Sequence, residues 1–146
     1  VNPNHDQYLA AVAHARRIVE RHRAAGWAAY LPDMQPAPGA VIAWMRDHAA
    51  SFRDETLARC GHITSLSAPA FVIGREPNVL LCGACLQVKT DELAAGFASA
   101  VDGADCDLCG VRASELNMCA FNSGAVVFRG FACDPCLAPN PFVRTA

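Results

Sequence analysis

The chain has 146 residues, a net charge of −2 and a hydrophobic share of 53%, much of it alanine. That is enough apolar material for one compact domain, or for a helical segment followed by very small units. The charge argues against a protein whose main task is gripping nucleic acid electrostatically.

No stretch approaches the ~20 continuous apolar residues of a membrane span. Val1-Asn2-Pro3-Asn4-His5-Asp6 has neither a basic nor an apolar leader region, so no secretory signal is read there. Val1 is read as a literally translated GTG start. A cytoplasmic location is therefore expected.

In chain order, His5 to about Ala29 has helical spacing. Tyr8, Val12, Ala15, Val19 and His22 trace one face, Leu9 and Ile18 widen it, and Arg16, Arg17, Arg21 and Arg23 lie mostly opposite. Asn4 is a candidate N-cap and Gly26 a candidate stop. Three prolines between Leu31 and Gly39 predict a loop. A second helix is expected over Ala40–Ala58, with Val41, Met45, His48, Phe52 and Thr56 on one face and Trp44 beside them. Two amphipathic helices joined by such a loop predict an antiparallel pair.

From Cys60 the composition shifts to Gly, Cys and β-branched residues. Ala70–Ile73 and Val79–Leu81 read as strands about a turn, followed at once by Cys82-Gly83-Ala84-Cys85. Thr90 or Asp91 is expected to cap a short helix carrying Leu93, Phe97 and Val101. Cys106-Asp107-Leu108-Cys109 opens a second stretch, in which Asn122-Ser123-Gly124 is a turn signal and Ala125–Phe128 a strand, before Cys133-Asp134-Pro135-Cys136. Both stretches run ligand pair, hairpin, CxxC-Leu, and Ile73-Gly74 parallels Arg129-Gly130. This weak internal similarity points to two ligand sets used in sequence order.

The chain holds eight cysteines, and three CxxC turns favour metal over disulfides in a chain read as having no secretory signal. Two thiolates separated by two residues can chelate one ion from a single tight turn, and zinc completes a tetrahedron from two such turns. Cys106, Cys109, Cys133 and Cys136 form a complete array. Cys82 and Cys85 need two upstream partners, which Cys60 and His62 supply. A carboxylate, His48 or Cys119 are the other candidates for the fourth place. A cross-brace, a disulfide framework and iron are the competing readings of the whole set, and redox chemistry competes at Cys82/Cys85. Cys119, among Leu116, Met118 and Phe121, is expected to be a buried core thiol.

Cys60 to Cys136 resembles small zinc-knuckle folds. The first unit looks like a treble clef and the second like a zinc ribbon, because Ala138-Pro139-Asn140-Pro141 cannot continue a helix. The expected fold is a small zinc-stabilised α+β protein: a helix pair over residues 1–59, then two tandem zinc and β-hairpin units over 60–105 and 106–146. Two structural Zn²⁺ ions are the expected cofactors.

Neither H-x-E with P-C-x-x-C nor H-E-x-x-H occurs, so the deaminase and metalloprotease patterns are missing. Four protein ligands close a site and make it structural. The expectation is a non-catalytic interaction module binding another protein, with no membrane association and no small-molecule substrate implied. Phe71, Phe128, Phe131 and Phe142 are candidate anchors, although core packing is the plainer reading for most of them. The alternative is a nucleic-acid-associated factor using Arg16, Arg17, Arg21 and Arg23. Against it, residues 86–146 carry four basic residues (Lys89, Arg112, Arg129, Arg144) and seven acids.

Overall fold

The computed structural model describes residues 3–31, 37–53, 57–63, 67–99 and 103–138. Its centre is a six-stranded mixed sheet in the order β1-β7-β8-β3-β4-β2. The strands are β1 (Ala28–Tyr30), β2 (Ala58–Arg59), β3 (Ala70–Ile73), β4 (Glu76–Leu81), β7 (Asn117–Ser123) and β8 (Val126–Ala132). A separate small hairpin pairs β5 (Ala104–Asp105) with β6 (Arg112–Ala113). The helices are α1 (Pro3–Ala24), α2 (Gly39–Arg53), α3 (Gly83–Ser99) and the single turn α4 (Asp134–Leu137).

Two antiparallel hairpins, β3–β4 and β7–β8, supply the middle of the sheet and join through the parallel pair β3–β8. The similar dipeptides Ile73-Gly74 and Arg129-Gly130 thereby come side by side: Ile73 is the register partner of Arg129, and the Gly74 N–H donates to the Arg129 carbonyl at 2.8 Å. Each outer edge is closed by a short parallel strand, β1 on β7 and β2 on β4.

Strand alternation splits the core in two, because successive side chains point to opposite faces. Val126 and Phe128 pack with Ala70, Val72, Val41, Trp44 and Phe121, whereas Val127 packs with Phe71, Ile73, Ala15, Ile18 and Val19. The sheet therefore stands between α1 and α2, and the expected antiparallel helix pair is corrected. Each helix buries its apolar stripe against strands, which offer a broader apolar surface than the alanine-rich face of another helix. Leu86 of α3 belongs to the α1 face. The α2 face is anchored by aromatic rings, with Phe121 stacked on Phe128 at 4.6 Å and edge-on to Trp44 at 5.1 Å.

Further sequence expectations shift at element ends. The first helix ends at Ala24, not Ala29: Gly26 takes φ +93, which a glycine adopts without strain, and Ala28–Tyr30 leave as a strand. Asn4 lies inside α1, with Pro3 in the first turn where its missing N–H costs nothing. The third helix starts at Gly83, not Thr90, and the Thr90 hydroxyl donates back to the Leu86 carbonyl at 2.8 Å instead of capping. The second helix is described over Gly39–Arg53 and Ala58 belongs to β2, while Thr56, Val101 and Phe142 lie outside the described residues. The turn at Asn122-Ser123-Gly124 forms as expected, with Gly124 at φ +56. Among the described residues no helix is long and apolar enough to cross a membrane.

Candidate metal centres

Parallel pairing builds the first centre. β2 and β4 run in the same direction with Arg59 opposite Leu80, so the residues that follow them, Cys60 and Cys82, leave the sheet at the same end. The Cys60 N–H donates to the Leu80 carbonyl at 3.0 Å, extending the ladder up to the first donor residue. The turn Cys60-Gly61-His62 then swings the imidazole over Cys82 and Cys85. His62 Nδ1 lies 3.8 Å from Cys82 Sγ and 3.3 Å from Cys85 Sγ. Cys85 sits in the first turn of α3, whose Leu86 N–H closes on the Cys82 carbonyl at 2.9 Å.

The second centre joins the β5–β6 hairpin to the end of β8. Cys106 and Cys109 occupy a tight turn closed by the Gly110 N–H donating to the Cys106 carbonyl at 2.8 Å, with Gly110 at φ +74. Cys133 follows β8 directly, and Cys136 lies in α4. Cys106 Sγ is 3.9 Å from Cys136 Sγ, and Cys109 Sγ is 3.8 Å from Cys133 Sγ.

Each quartet holds its four donor atoms within 4.8 Å of one another and can hold a metal ion. The grouping is sequential, Cys60/His62/Cys82/Cys85 and Cys106/Cys109/Cys133/Cys136, and not cross-braced. All eight cysteines are free thiols, and separations of 3.8–3.9 Å are far from the ~2.05 Å of a disulfide. His48 is not a donor here. It is buried against Trp44 and Phe128 in the α2 core, where its Nε2 finds no hydrogen-bond partner among the described residues. Cys119 also stays outside, buried at 1% exposure on β7, and burial pushes its thiol up to about 12.

Backbone N–H groups converge on the sulfurs. Cys60 Sγ accepts from the Cys82 N–H at 3.3 Å, Cys82 Sγ from Cys85 at 3.5 Å, and Cys106 Sγ from both Leu108 and Cys133 at 3.4 Å. Such donors stabilise negative sulfur. At Cys60 and Cys106 burial opposes ionisation, yet the hydrogen bonds outweigh it and lower the thiols to about 6 and about 7. Their neighbours go the other way. Cys85 rises to about 11, first through its hydrogen bond with Cys82, and Cys136 rises mainly through burial. One thiolate per quartet forms easily and the next is resisted. Full deprotonation of such a cluster calls for a cation at its centre.

The centres differ in exposure. In the second, Cys106, Cys133 and Cys136 are buried and Cys109 is exposed; in the first, the three cysteines are half-buried and His62 is exposed.

Asp107, which the sequence reading left without a role, ties the second centre to the sheet. Its side chain is 4% exposed, its Oδ2 accepts the Phe131 N–H at 2.7 Å, and its own N–H donates to the Phe131 carbonyl at 2.8 Å. Arg75 Nε lies 3.6 Å from its other oxygen. Burial raises the Asp107 pKa, opposed by the Phe131 hydrogen bond and the Arg75 charge. Gly74 and Gly130 make room for it, since a Cβ at Gly74 would stand 2.8 Å from Asp107 Cβ and one at Gly130 would stand 3.3 Å from its carboxylate. The paired glycines in the two similar segments were the available signal.

Of the candidate aromatic anchors, Phe71 and Phe128 are buried in the two cores, and Phe131 is half-buried. No protein-family model matches this chain, and neither curated proteins nor solved structures give a match.

Proposed function

We propose that this chain is a non-catalytic binding protein whose fold is held by two structural zinc ions and whose partner is another protein. The observation that carries the reading is the pair of closed donor sets, each offering four protein ligands and leaving no position for a substrate or water. The distances suit a tetrahedral ion with bond lengths such as those of zinc. Tetrahedral bonds of ~2.3 Å put sulfurs about 3.8 Å apart, and bonds of ~2.3 and ~2.05 Å put a sulfur and a nitrogen about 3.6 Å apart. The second centre has 3.8 and 3.9 Å, and the 3.3 and 3.8 Å around His62 Nδ1 bracket the mixed value.

In this reading the first unit is a treble clef, in which the β3–β4 hairpin delivers Cys82 and Cys85 at the start of α3. The second is closer to a zinc ribbon, since α4 is one turn long. Cysteines committed to metal and not to disulfides suit a reducing compartment, and a cytoplasmic location is part of this reading. Exposed Tyr8 and Leu9 on α1 are apolar contacts available to a protein partner. A nucleic-acid role draws support from His14, Arg17 and Arg21 around one shallow hollow of α1, though Glu20 lines it too and pairs with Arg16 at 3.2 Å.

Elemental analysis of protein purified without added metal should give two zinc ions per chain; none would end the proposal. A salt titration against DNA and RNA separates the partners, because phosphate binding weakens steeply with salt and protein binding much less so.

A further inference from the structure

On the α1 face of the sheet, a cavity of about 120 Å³ lies over the end of β8, walled by α3 and by the residue run that follows α1. Its walls are apolar: Trp27 after α1, Leu86 and Leu93 on α3, and Ile73, Met118 and Phe131 from the strands. Met118 and Phe131 are register partners on β7 and β8, and Met118 is among the exposed large apolar side chains. The hydroxyl of Thr90, which also lines the space, is committed to the Leu86 carbonyl.

One cation stands in this apolar wall. Arg129 is half-buried, with its guanidinium 5.3 Å from the Trp27 ring centroid and 5.8 Å from that of Phe71. Its Nε and Nη2 lie 3.1 and 2.6 Å from His22 Nε2. His22 is stacked on Trp27 at 4.1 Å and held neutral, its pKa lowered to about 4 by burial and then by Arg129 and Arg21. Among the described residues no carboxylate pairs with Arg129, and His22 Nε2 is its only hydrogen-bond acceptor. A guanidinium carries five N–H donors, so most of its fork has no protein acceptor. A partly buried cation without a counter-ion is costly, and it is repaid where an anion arrives to share the site. The planar fork matches a carboxylate.

We propose that this cavity binds a compact aromatic monocarboxylate of benzoate size, its ring among Trp27, Leu86, Leu93 and Met118 and its carboxylate on Arg129. At about 120 Å³ the space is smaller than the ~150 Å³ that takes up benzene, so the ring fills it with the exposed Met118 side chain moving aside and the carboxylate stays outside the apolar volume. The apolar walls disfavour a multiply charged phosphate. None of the eight metal-donor residues lines this ligand site.

The test uses the full-length zinc-loaded chain, with benzoate, benzamide and inorganic phosphate as probes. Trp27 reports by fluorescence, and titration calorimetry checks it, because Trp44, the other of two tryptophans, lies in the opposite core. Benzoate should bind saturably with a Kd of about 0.1–1 mM, as expected for nine heavy atoms. Benzamide, isosteric but uncharged, should bind at least about tenfold more weakly, and phosphate should not compete. Arg129→Lys should lose about tenfold in benzoate affinity through loss of the fork. In case Arg129 variants fail to fold, Leu93→Trp fills the cavity from α3 and should abolish benzoate binding with zinc content unchanged. The proposal is overturned by absence of saturable benzoate binding at ~10 mM, tenfold above a millimolar Kd. Benzamide binding as tightly as benzoate, effective competition by phosphate, or unchanged affinity in folded Leu93→Trp would each overturn it as well.

Discussion

Asp107→Ala tests whether the second metal centre is held by its attachment to the sheet. The carboxylate accepts the Phe131 N–H at 2.7 Å and faces Arg75 at 3.6 Å. A hydrogen bond to a charged group contributes about 1.5–3 kcal/mol, and its loss leaves the strand N–H to find another acceptor. The partly exposed Arg75 pair adds roughly 0.5 kcal/mol. Against this, the raised pKa of Asp107 shows that burying its charge has a cost, which the variant no longer bears. A net loss of about 1–3 kcal/mol follows, a large part of the ~5–15 kcal/mol that holds a domain. Because Asp107 adjoins Cys106, zinc affinity should also fall about tenfold or more. Urea unfolding of the zinc-loaded protein reads the first effect, and competition with a chromophoric chelator reads the second. Asp107→Asn, which keeps an oxygen for Phe131, should cost less than Asp107→Ala. Approaching from the other side, Gly74→Ala presses a Cβ onto Asp107 and should cost about 1–3 kcal/mol by overpacking. An Asp107→Ala protein with unchanged urea midpoint and unchanged zinc affinity would refute this account of the turn.

Three further outcomes are expected. Cys109→Ser should weaken zinc binding at the second centre by about 3 kcal/mol, a quarter of a ~10–16 kcal/mol site, so that a competing chelator strips that ion first. Cys119→Ala should retain both ions, and equal zinc loss in the two variants would mean that the donor set is wrongly assigned. A strong chelator should abolish the near-ultraviolet circular dichroism of the aromatic core and much of the helical signal together; a helical signal that survives intact would show helices independent of the centres. His22 should titrate near 4 by NMR. Its folded pKa lies below the ordinary 6.5, so the unfolded chain binds more protons between those values, and this contribution to stability is full above 6.5 and is lost as pH falls through 4. A midpoint near 6.5 would mean that His22 is neither buried against Trp27 nor held beside the Arg129 charge.

What was legible in the sequence was local. The eight candidate donors meet in two quartets, because CxxC spacing determines which sulfurs can share a turn. The helices α1 and α2 were visible from apolar periodicity, and the β3–β4 hairpin from its flanking β-branched runs. The misjudged features depend on partners far along the chain. Ala28–Tyr30 continue the helical composition, and only pairing with Cys119–Phe121 makes them a strand. The treble-clef resemblance leads from Cys82 and Cys85 into a helix, but no Ser, Thr, Asp or Asn adjoins Gly83 to cap it, and part of the capping comes from a sulfur, Cys82 Sγ, that accepts the Cys85 N–H. The helix pair failed as an expectation because amphipathicity tells which side of a helix is buried but not what covers it. Asp107 looked like a solvated turn acid, and its burial follows from Phe131 and Arg75 coming to it.

The two centres and the sheet depend on one another. Cys82 follows β4 and Cys133 follows β8, so each donor set stands at the end of one strand of a central hairpin. Cys106, Cys133 and Cys136 then join the core under α2, whereas Cys60 and Cys85 pack against the core under α1. The parallel pair β3–β8 runs between these sides and carries residues of both cores on alternate positions. A short strand cannot hold a parallel register without a covered face, and an isolated helix of this length is marginal in water. Loss of either ion therefore frees a strand end, loosens the hairpin that forms half the sheet, and exposes the stripe its helix was burying. A sheet that is only two to seven residues long in each strand has little else to resist that opening. The donor sets thus stand at the strand ends, the strands gather the helices, and Arg129 lines an apolar cavity over β8.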